Sequence, residues 1–454
     1  MDARRAHDEP GVSRDERAPM RRRVVAASIV GSALEWYDYA LYGLASALVL
    51  NKLFFPDLGS EVGTIASVAT FAVGFVARPL GGVVLGNLGD RHGRKAVMIT
   101  TLVLMGIATT LIGALPTYGS IGIWAPILLV FLRLCQGFGA GAEFGGAVVM
   151  SAEYAPRGKR GLFASTAQVG AEIGMLLSTA AFAVVGTLPQ DSLLSWGWRI
   201  PFLVGIVPVA VGLFLRLRVQ DTPEYQRVKG SGEQPRVPMA ELLRTAPKQV
   251  LLAAGARLMD PPLGYLYTVF VTVYAVKQVG VSQQTVLTGL LIASALGIGS
   301  VALFGHLTDR WGTRRIYLAA AAFAVLLAFP FYWLIDTGQP VVIWLALILG
   351  TSVGKELNNA GQAAYLTEMF EPRIRVSGVS LARESVSAVG GLIPVLGLSL
   401  VNWAGGSYWP VAVLMVVLGA ISFVCISLSR PAVAGANDPD PAAAPEYAKD
   451  GATR

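Results

Sequence analysis

"GNLGDRHGRKAVM", residues 86–98, and "GHLTDRWGTRRIY", residues 305–317, are one pattern written twice. Each is a short loop, an acid followed by bases, held between two long apolar stretches. A helix needs roughly 20 apolar residues to cross a bilayer, so each loop reads as the tip of a hairpin of two membrane helices. A second pair, "SAEYAPRGKRG" at 151–161 and "LTEMFEPRIRVSG" at 366–378, follows in the same order. Two matches in one order divide the chain into two copies of one unit.

Working outward, apolar stretches fall near 24–52, 61–85, 96–115, 124–150, 163–187, 199–217, 249–277, 285–307, 315–335, 341–367, 377–402 and 408–429. That makes about twelve spans, six on each side of the charged, Gly- and Pro-rich stretch 216–248. The chain of 454 residues is 54% hydrophobic and 14% charged, with mean hydropathy +0.57. A soluble domain carries about 25% charged residues. No sheet is expected, because backbone groups in lipid must pair within their own helix. The expected fold is an all-α membrane protein with about twelve transmembrane helices in two six-helix bundles. The expected boundaries are a tail at 1–23, a bundle at 24–217, a linker at 218–248, a second bundle at 249–429 and a tail at 430–454. The composition of that last tail reads as disordered.

A net charge of +7 is compatible with nucleic-acid binding, but its placement argues against it. The bases cluster at Arg21–Arg23, Arg91–Lys95, Arg157–Arg160, Arg216–Lys229, Arg310–Arg315 and Arg373–Arg375, all in the first tail or between alternate spans. The opposite loops, such as "FFPDLGSEVG" and "IDTGQP", hold few. By the positive-inside rule both termini and the linker are expected in the cytoplasm, with the protein in a cell inner membrane. The first 20 residues lack the apolar core of a signal peptide. Cys135 and Cys425 both fall within spans, which argues against a disulfide framework. There is no Gly-x-x-x-x-Gly-Lys-Ser/Thr run, and the three histidines lack metal-ligand spacing. No cofactor, no metal and no ATP are expected, and no nucleophile–base constellation marks an enzyme.

The loop Gly86-x-x-x-Asp90-Arg91-x-Gly93-Arg94-Lys95 and the span-4 stretch "RLCQGFGAGAEFGG", residues 133–146, resemble signatures of the major facilitator superfamily. More narrowly, "LEWYDYALYG", "RLCQGFGAGAEFGGAVVMSAEYAPRGKRG", "WGWRIPF" and "GQAAYLTEMF" resemble the metabolite:proton symporters, whose members carry organic acids, shikimate, proline and betaine. The resemblance spans nearly everything but the tails. It implies a superfamily fold, proton-coupled symport and a latch role for the 86–98 loop. Two departures stand out. Span 10 reads "GKELNNAGQAAY", with more charge before its Gln-Ala pair than relatives usually have, and Thr313 stands where the first copy has Arg94.

A charged side chain at the bilayer centre costs roughly 2.5–3.5 kcal/mol on insertion scales, so the charges inside spans ask for a use. Glu35 and Asp38 are three apart, hence on one helix face, which Tyr39 and Tyr42 extend. Burial and mutual repulsion favour protonation of such a pair, which suits proton coupling, with Glu35 slightly preferred as the carrier. The competing reading is a structural pairing with a base on another helix. Arg133, one turn before Gln136, offers the planar fork that suits a carboxylate. Gly137, Gly141 and Gly145 in the same span read as close helix packing. Gln168 and Glu172 share a stripe in span 5. Arg257 and Asp260 precede Pro261 and Pro262, which must interrupt helical bonding. Lys355, Asn358, Asn359 and Gln362 lie near one face of span 10, and Glu384 lies on a polar stripe of span 11.

These residues are expected to line a shared cavity, where a substrate contact and a structural ion pair such as Arg257–Asp260 are both open. At the gate, Asp90 is expected to cap a facing helix, with span 11 the candidate, and Arg91 or Arg94 to pair with Glu153. Asp309 and Glu368 are their counterparts in the second copy. Arg78 fits gate or cavity, and Arg199 reads as an interface anchor. The expected function is proton-coupled symport of a small polar metabolite, an organic carboxylate in preference, by alternating access. Its partners are protons, a small-molecule substrate and the lipid bilayer, and the protein is expected to work as a monomer. A carrier of a zwitterionic osmolyte such as betaine or proline is the nearest alternative. A membrane sensor without flux is the alternative from another class.

Overall fold

The computed structural model describes residues 14–156, 158–231 and 237–432. The expectations for residues 1–13 and for the tail beyond 432 lie outside the described residues. Within them the chain is helical, with no strand. Twelve membrane helices follow in order: α1 Arg14–Ala45, α2 Gly59–His92, α3 Arg94–Ala114, α4 Trp124–Tyr154, α5 Arg160–Val185 and α6 Gln190–Leu217 form one bundle. In the second, α7 runs in segments from Pro247–Arg257 through Asp260–Tyr265 to a wide (π) turn at Ala275–Val279. It is followed by α8 Gln283–Trp311, α9 Thr313–Asp336, α10 Pro340–Glu368, α11 Arg375–Trp403 and α12 Trp409–Leu428. Among the described residues, eight of these are long and apolar enough to cross a membrane on length and composition. The other four, α1, α2, α7 and α11, all carry charge in their spans, at Glu35 and Asp38, Arg78, Arg257 and Asp260, and Arg383 and Glu384.

The elements follow from the sequence locally. The two copied loops both turn on a glycine with positive φ, Gly93 at 108° and Gly312 at 91°, a conformation that strongly favours glycine. At Gly93 a Cβ would also meet the Asp221 carboxylate. Pro261 and Pro262 sit at the start of the second α7 segment, where a missing N–H costs nothing. The wide turn Ile348–Lys355 precedes the helix Glu356–Glu368 within α10. Leu177, Phe214, Leu326 and Val424 are exposed on the outside, as lipid contact requires.

Glycines set the close approaches. A Cβ on Gly137 or Gly141 would run into the α2 backbone at Gly74 or at Arg78, and one on Gly145 would meet Ser380 of α11. Gly170 and Gly174 likewise bring α5 onto the α1 backbone at Ile29 and Ala33. These contacts bring α1, α2 and α11 together around α4, and their charged residues meet there. α1 starts at Arg14, inside the stretch read as a tail, and Arg21 Nε donates to the Tyr154 carbonyl at 3.2 Å.

Candidate functional site

Glu35 and Asp38 share a face of α1 yet have different neighbours. Glu35 Oε1 accepts from Arg78 Nη2 of α2 and from Arg383 Nη1 and Nη2 of α11, the last two at 3.4 and 3.3 Å. Arg78 Nε donates to Glu384 Oε2 at 3.1 Å, and Arg383 lies 3.5 Å from Glu384 Oε1. The four buried side chains close a ring of alternating charge, with two residues from each bundle. Each ion costs several kcal/mol to bury, and removing one leaves its partner's charge uncompensated. The ring therefore holds as a unit. Arg383 also lies over the Phe144 ring of α4, 4.2 Å from its centroid.

Asp38 has neutral hydrogen-bond partners. Its Oδ1 is 2.5 Å from Thr109 Oγ1 and accepts from Gln136 Nε2 at 2.6 Å. Thr109 has one hydroxyl hydrogen, and Oγ1 also lies 2.9 Å from the Met105 carbonyl. If that hydrogen goes to Met105, a protonated Asp38 can donate to Thr109, so the site serves either form of the acid. Arg133 Nη1 donates to Gln136 Oε1 at 3.1 Å, and its guanidinium lies 4.3 Å from the Tyr42 ring centroid. Gln136 thus stands between Arg133 and Asp38. Tyr42 and Thr70 pair through their hydroxyls at 2.5 Å, and the hydroxyls of Tyr39 and Tyr265 meet across the two bundles. Glu35, Asp38, Tyr39, Arg78, Arg133 and Gln136 border a cavity of about 20 Å³, room for about one water.

A second bundle-to-bundle link joins α5 and α10. Lys355 Nζ donates to Glu172 Oε1 at 2.7 Å and lies 3.0 Å from Glu356 Oε1. Asn359 Nδ2 donates to Glu356 Oε2, and Asn359 Oδ1 accepts from Gln362 and Gln168. Within the second bundle, Arg257 Nε and Nη2 both bond Asp260 Oδ2, and Asn358 Nδ2 donates to Asp260 Oδ1 at 2.7 Å.

The bundles also meet at the end bearing the copied loops, the basic end. Asp90 Oδ1 and Oδ2 accept from the main-chain N–H groups of Val376 and Ser377, at 3.1 and 2.7 Å, at the start of α11. Arg94 bridges Asp90 and Glu153, each at 3.3 Å. Asp309 accepts from Gly161 and Leu162 N–H at 2.6 and 3.0 Å, at the start of α5. In the second copy, Thr313 donates to Glu368 at 2.6 Å. Arg91 takes part through its carbonyl, which accepts from Tyr225.

The linker completes this seal. Glu224 takes Arg160 of α5 at 3.0 Å and also Arg375 of α11, while Arg375 reaches Glu153 at 2.8 Å. Thr222 donates to Glu153, Asp221 accepts from Lys95 N–H, and Arg94 lies 5.2 Å from the Tyr225 ring centroid. Reading the sequence missed Arg375, Glu224 and the ring roles of Arg78 and Arg383. A base inside an apolar span is the available signal for Arg78 and Arg383, whereas Arg375 stands in a basic loop with nothing to mark it. Arg199 donates to the Gly113 and Leu115 carbonyls at the end of α3 and lies over Trp198.

Two quasi-equivalent helical bundles, joined by a linker and meeting along buried polar networks at mid-span, define a secondary transporter. The family model for the Major Facilitator Superfamily matches residues 29–355, and the chain belongs to that superfamily: it is a multi-pass membrane transporter of small metabolites and not an enzyme. It is 37% identical over 415 residues to the shikimate transporter of Escherichia coli K12, covering 90% of this chain and 94% of the relative. It is 33% identical over 409 residues to the proline/betaine transporter of the same strain, covering 87% and 81%. The proton:xylose symporter XylE bound to 6-bromo-6-deoxy-D-glucose superposes with a TM-score of 0.71 at 17% identity, over 90% of this chain and 95% of that one, a likeness of fold.

Proposed function

We propose that this chain is a proton-coupled symporter of a small organic carboxylate, working by alternating access in a cell inner membrane, with its basic end, linker and termini cytoplasmic. The bias of Lys and Arg toward that end supports the orientation. The state described is then sealed toward the cytoplasm by the Asp90 and Asp309 caps and the Glu153–Arg375–Glu224 network.

The observation that carries the coupling is the setting of Asp38. It is buried, its hydrogen-bond donors are neutral, and Arg133 reaches it through Gln136. The sequence alone leaned toward Glu35. Glu35 is instead held by two guanidiniums and acts as the hinge of the ring, while Asp38 carries the proton. Charge balance among the described mid-span residues agrees. Seven acids of the spans, Glu35, Asp38, Glu143, Glu172, Asp260, Glu356 and Glu384, face six bases, Arg78, Arg133, Arg216, Arg257, Lys355 and Arg383, with Glu143 and Arg216 paired to each other. One proton balances the set, and an anionic substrate deepens the deficit that protons fill.

Carboxylate-carrying and zwitterion-carrying relatives both occur, so the substrate is settled by binding. Purified protein is screened by thermal shift against organic acids, betaines and amino acids. Ligands that bind are then tested in proteoliposomes under an imposed pH difference. Accumulation of a carboxylate under a proton gradient supports the reading. Accumulation of betaine or proline alone replaces the substrate, uptake driven by sodium and not by protons replaces the ion, and binding without flux makes the protein a sensor.

A further inference from the structure

The loop between α1 and α2, at the end opposite the copied loops, opens with an apolar run, "LFFPD" at 53–57. Phe55 leaves the helical conformation ahead of Pro56, with φ −132° and ψ 42°, as a residue before proline tends to. Phe54 and Phe55 border one cavity with Ile127 and Val130 of α4, and its volume is about 440 Å³. Small-molecule pockets occupy roughly 300–1,000 Å³. Trp198 backs Phe54 edge-on, with ring centroids 5.9 Å apart, so that wall is fixed.

The two ends of the cavity differ in chemistry. On α4, Ile127, Phe131 and Leu134 follow at i, i+4 and i+7 and stay exposed, whereas Arg133 and Gln136 are buried in the bundle. The cavity therefore opens beside a stripe that faces lipid, whose tails are as apolar as leucine. Its polar wall residues are Asp57 and Tyr118, which hydrogen-bonds the Asp57 side chain. Trp124, exposed at the first residue of α4, lies close by in sequence, and Tyr and Trp gather at headgroup level. From Ile123 to Val130 the helix descends roughly 10 Å into the membrane. The cavity thus has an acid at its headgroup end and only apolar side chains at its tail end.

We infer that this cavity is a binding site for one phospholipid with a primary ammonium headgroup, phosphatidylethanolamine. An acyl chain lies against Phe55, Ile127 and Val130, and the ammonium donates to Asp57. A charge-assisted hydrogen bond needs an N–H donor, and the trimethylammonium of a choline headgroup has none. A headgroup of net negative charge meets Asp57 as a like charge. Asp57 is exposed, so its ion pair discriminates among headgroups by a few-fold and no more. The chain in its apolar seat supplies most of the binding.

The test uses full-length protein in phosphatidylcholine nanodiscs with a trace of phosphatidylethanolamine that carries a photoactivatable diazirine on its acyl chain. Labelled residues are read by peptide mass spectrometry. Phe55 and Val130, both half-buried, should be labelled along with the exposed stripe. Unlabelled phosphatidylethanolamine should compete about threefold better than phosphatidylcholine or phosphatidylglycerol, the scale of a partly exposed ion pair. Asp57→Asn should erase that preference and keep the labels, and Asp57→Glu should restore it. Val130→Trp, which fills the tail end, should remove most of the label at Phe55. Thermal unfolding checks that each variant folds, and the competition in the parent protein stands without them. Labels confined to Phe131 and Leu134 would mean lipid at the outer surface alone and overturn the site. Equal competition by the three lipids, or a preference unchanged in Asp57→Asn, overturns the headgroup assignment. Either failure leaves the symport reading standing, because the cavity lies outside the mid-span networks and the seal.

Discussion

The mid-span ring and the seal at the basic end are both buried ion networks that join the two bundles, and they differ in how completely their carboxylates are satisfied. In the seal, both carboxylate oxygens of Asp90, Glu153, Asp309 and Glu224 have a donor. In the ring, Glu35 Oε2 and Glu384 Oε1 are buried without a hydrogen bond. Carboxylates whose two oxygens both hold charge-assisted bonds have little reason to rearrange. A network with spare acceptors is open to a proton or a ligand. The comparison assigns the seal to holding a state and mid-span to binding.

The strongest way to break it is at Asp38. Asp38→Asn should abolish accumulation driven by an imposed pH difference in proteoliposomes, bringing internal substrate down to the external level. Exchange across a membrane without a gradient should persist, because exchange needs no deprotonation. Glu35→Gln should reduce both modes, since it leaves Arg78 and Arg383 with Glu384 alone to balance them in the ring. If Glu35→Gln spares exchange and Asp38→Asn still accumulates, the two roles are the reverse of those proposed. If both variants accumulate, coupling lies with Glu172, Asp260 or Glu384.

Asp90 comes next. Its two bonds to N–H groups at a helix start are charge-assisted, a class worth about 1.5–3 kcal/mol each. Asp90→Asn turns one oxygen into a donor facing a donor. The closed-to-open ratio at the basic end should fall by about tenfold or more, read as faster labelling of single cysteines there, with transport reduced. Labelling and transport equal to the parent would remove the latch role.

Much of the seal could be read from the sequence, and the ring could not. A short charged loop repeated between spans announces itself, and an acid beside a helix end in such a loop has few places to go. The glycine stripe of span 4 was equally plain, because four-residue spacing of small residues is a packing statement wherever it occurs. The ring joins Glu35 to Arg78, 43 residues along the chain, and to Arg383, 348 residues along it, and nothing local distinguishes those arginines from Arg133, which bonds Gln136 and lies over the Tyr42 ring. Face and spacing place a side chain on its own helix. Which helix it meets is set by tertiary packing.

The two copied loops sharpen the comparison at lower amplitude. Asp309 repeats the cap of Asp90, but Thr313 takes the place of Arg94 and bonds Glu368. Asp309→Asn should therefore open the basic end severalfold, less than Asp90→Asn, by the same labelling assay. A larger effect than at Asp90 would show that the second copy carries the closure.

The smallest effect belongs to the linker. Glu224 joins Arg160 of α5 to Arg375 of α11, so it spans both bundles from a segment that the sequence presents as a connector. Its side chain is 16% exposed and that of Arg160 is 22% exposed, and partly exposed pairs are worth about 0–1 kcal/mol. Glu224→Gln should raise labelling at the basic end by no more than a few-fold, and high salt should shrink the difference between variant and parent, because salt screens exposed charges more than buried ones. The buried Asp90 variant should keep its difference in the same salt series. A Glu224 effect as large and as salt-insensitive as that of Asp90 would make the linker a full member of the latch, and no effect at any salt would return it to the role of a tether.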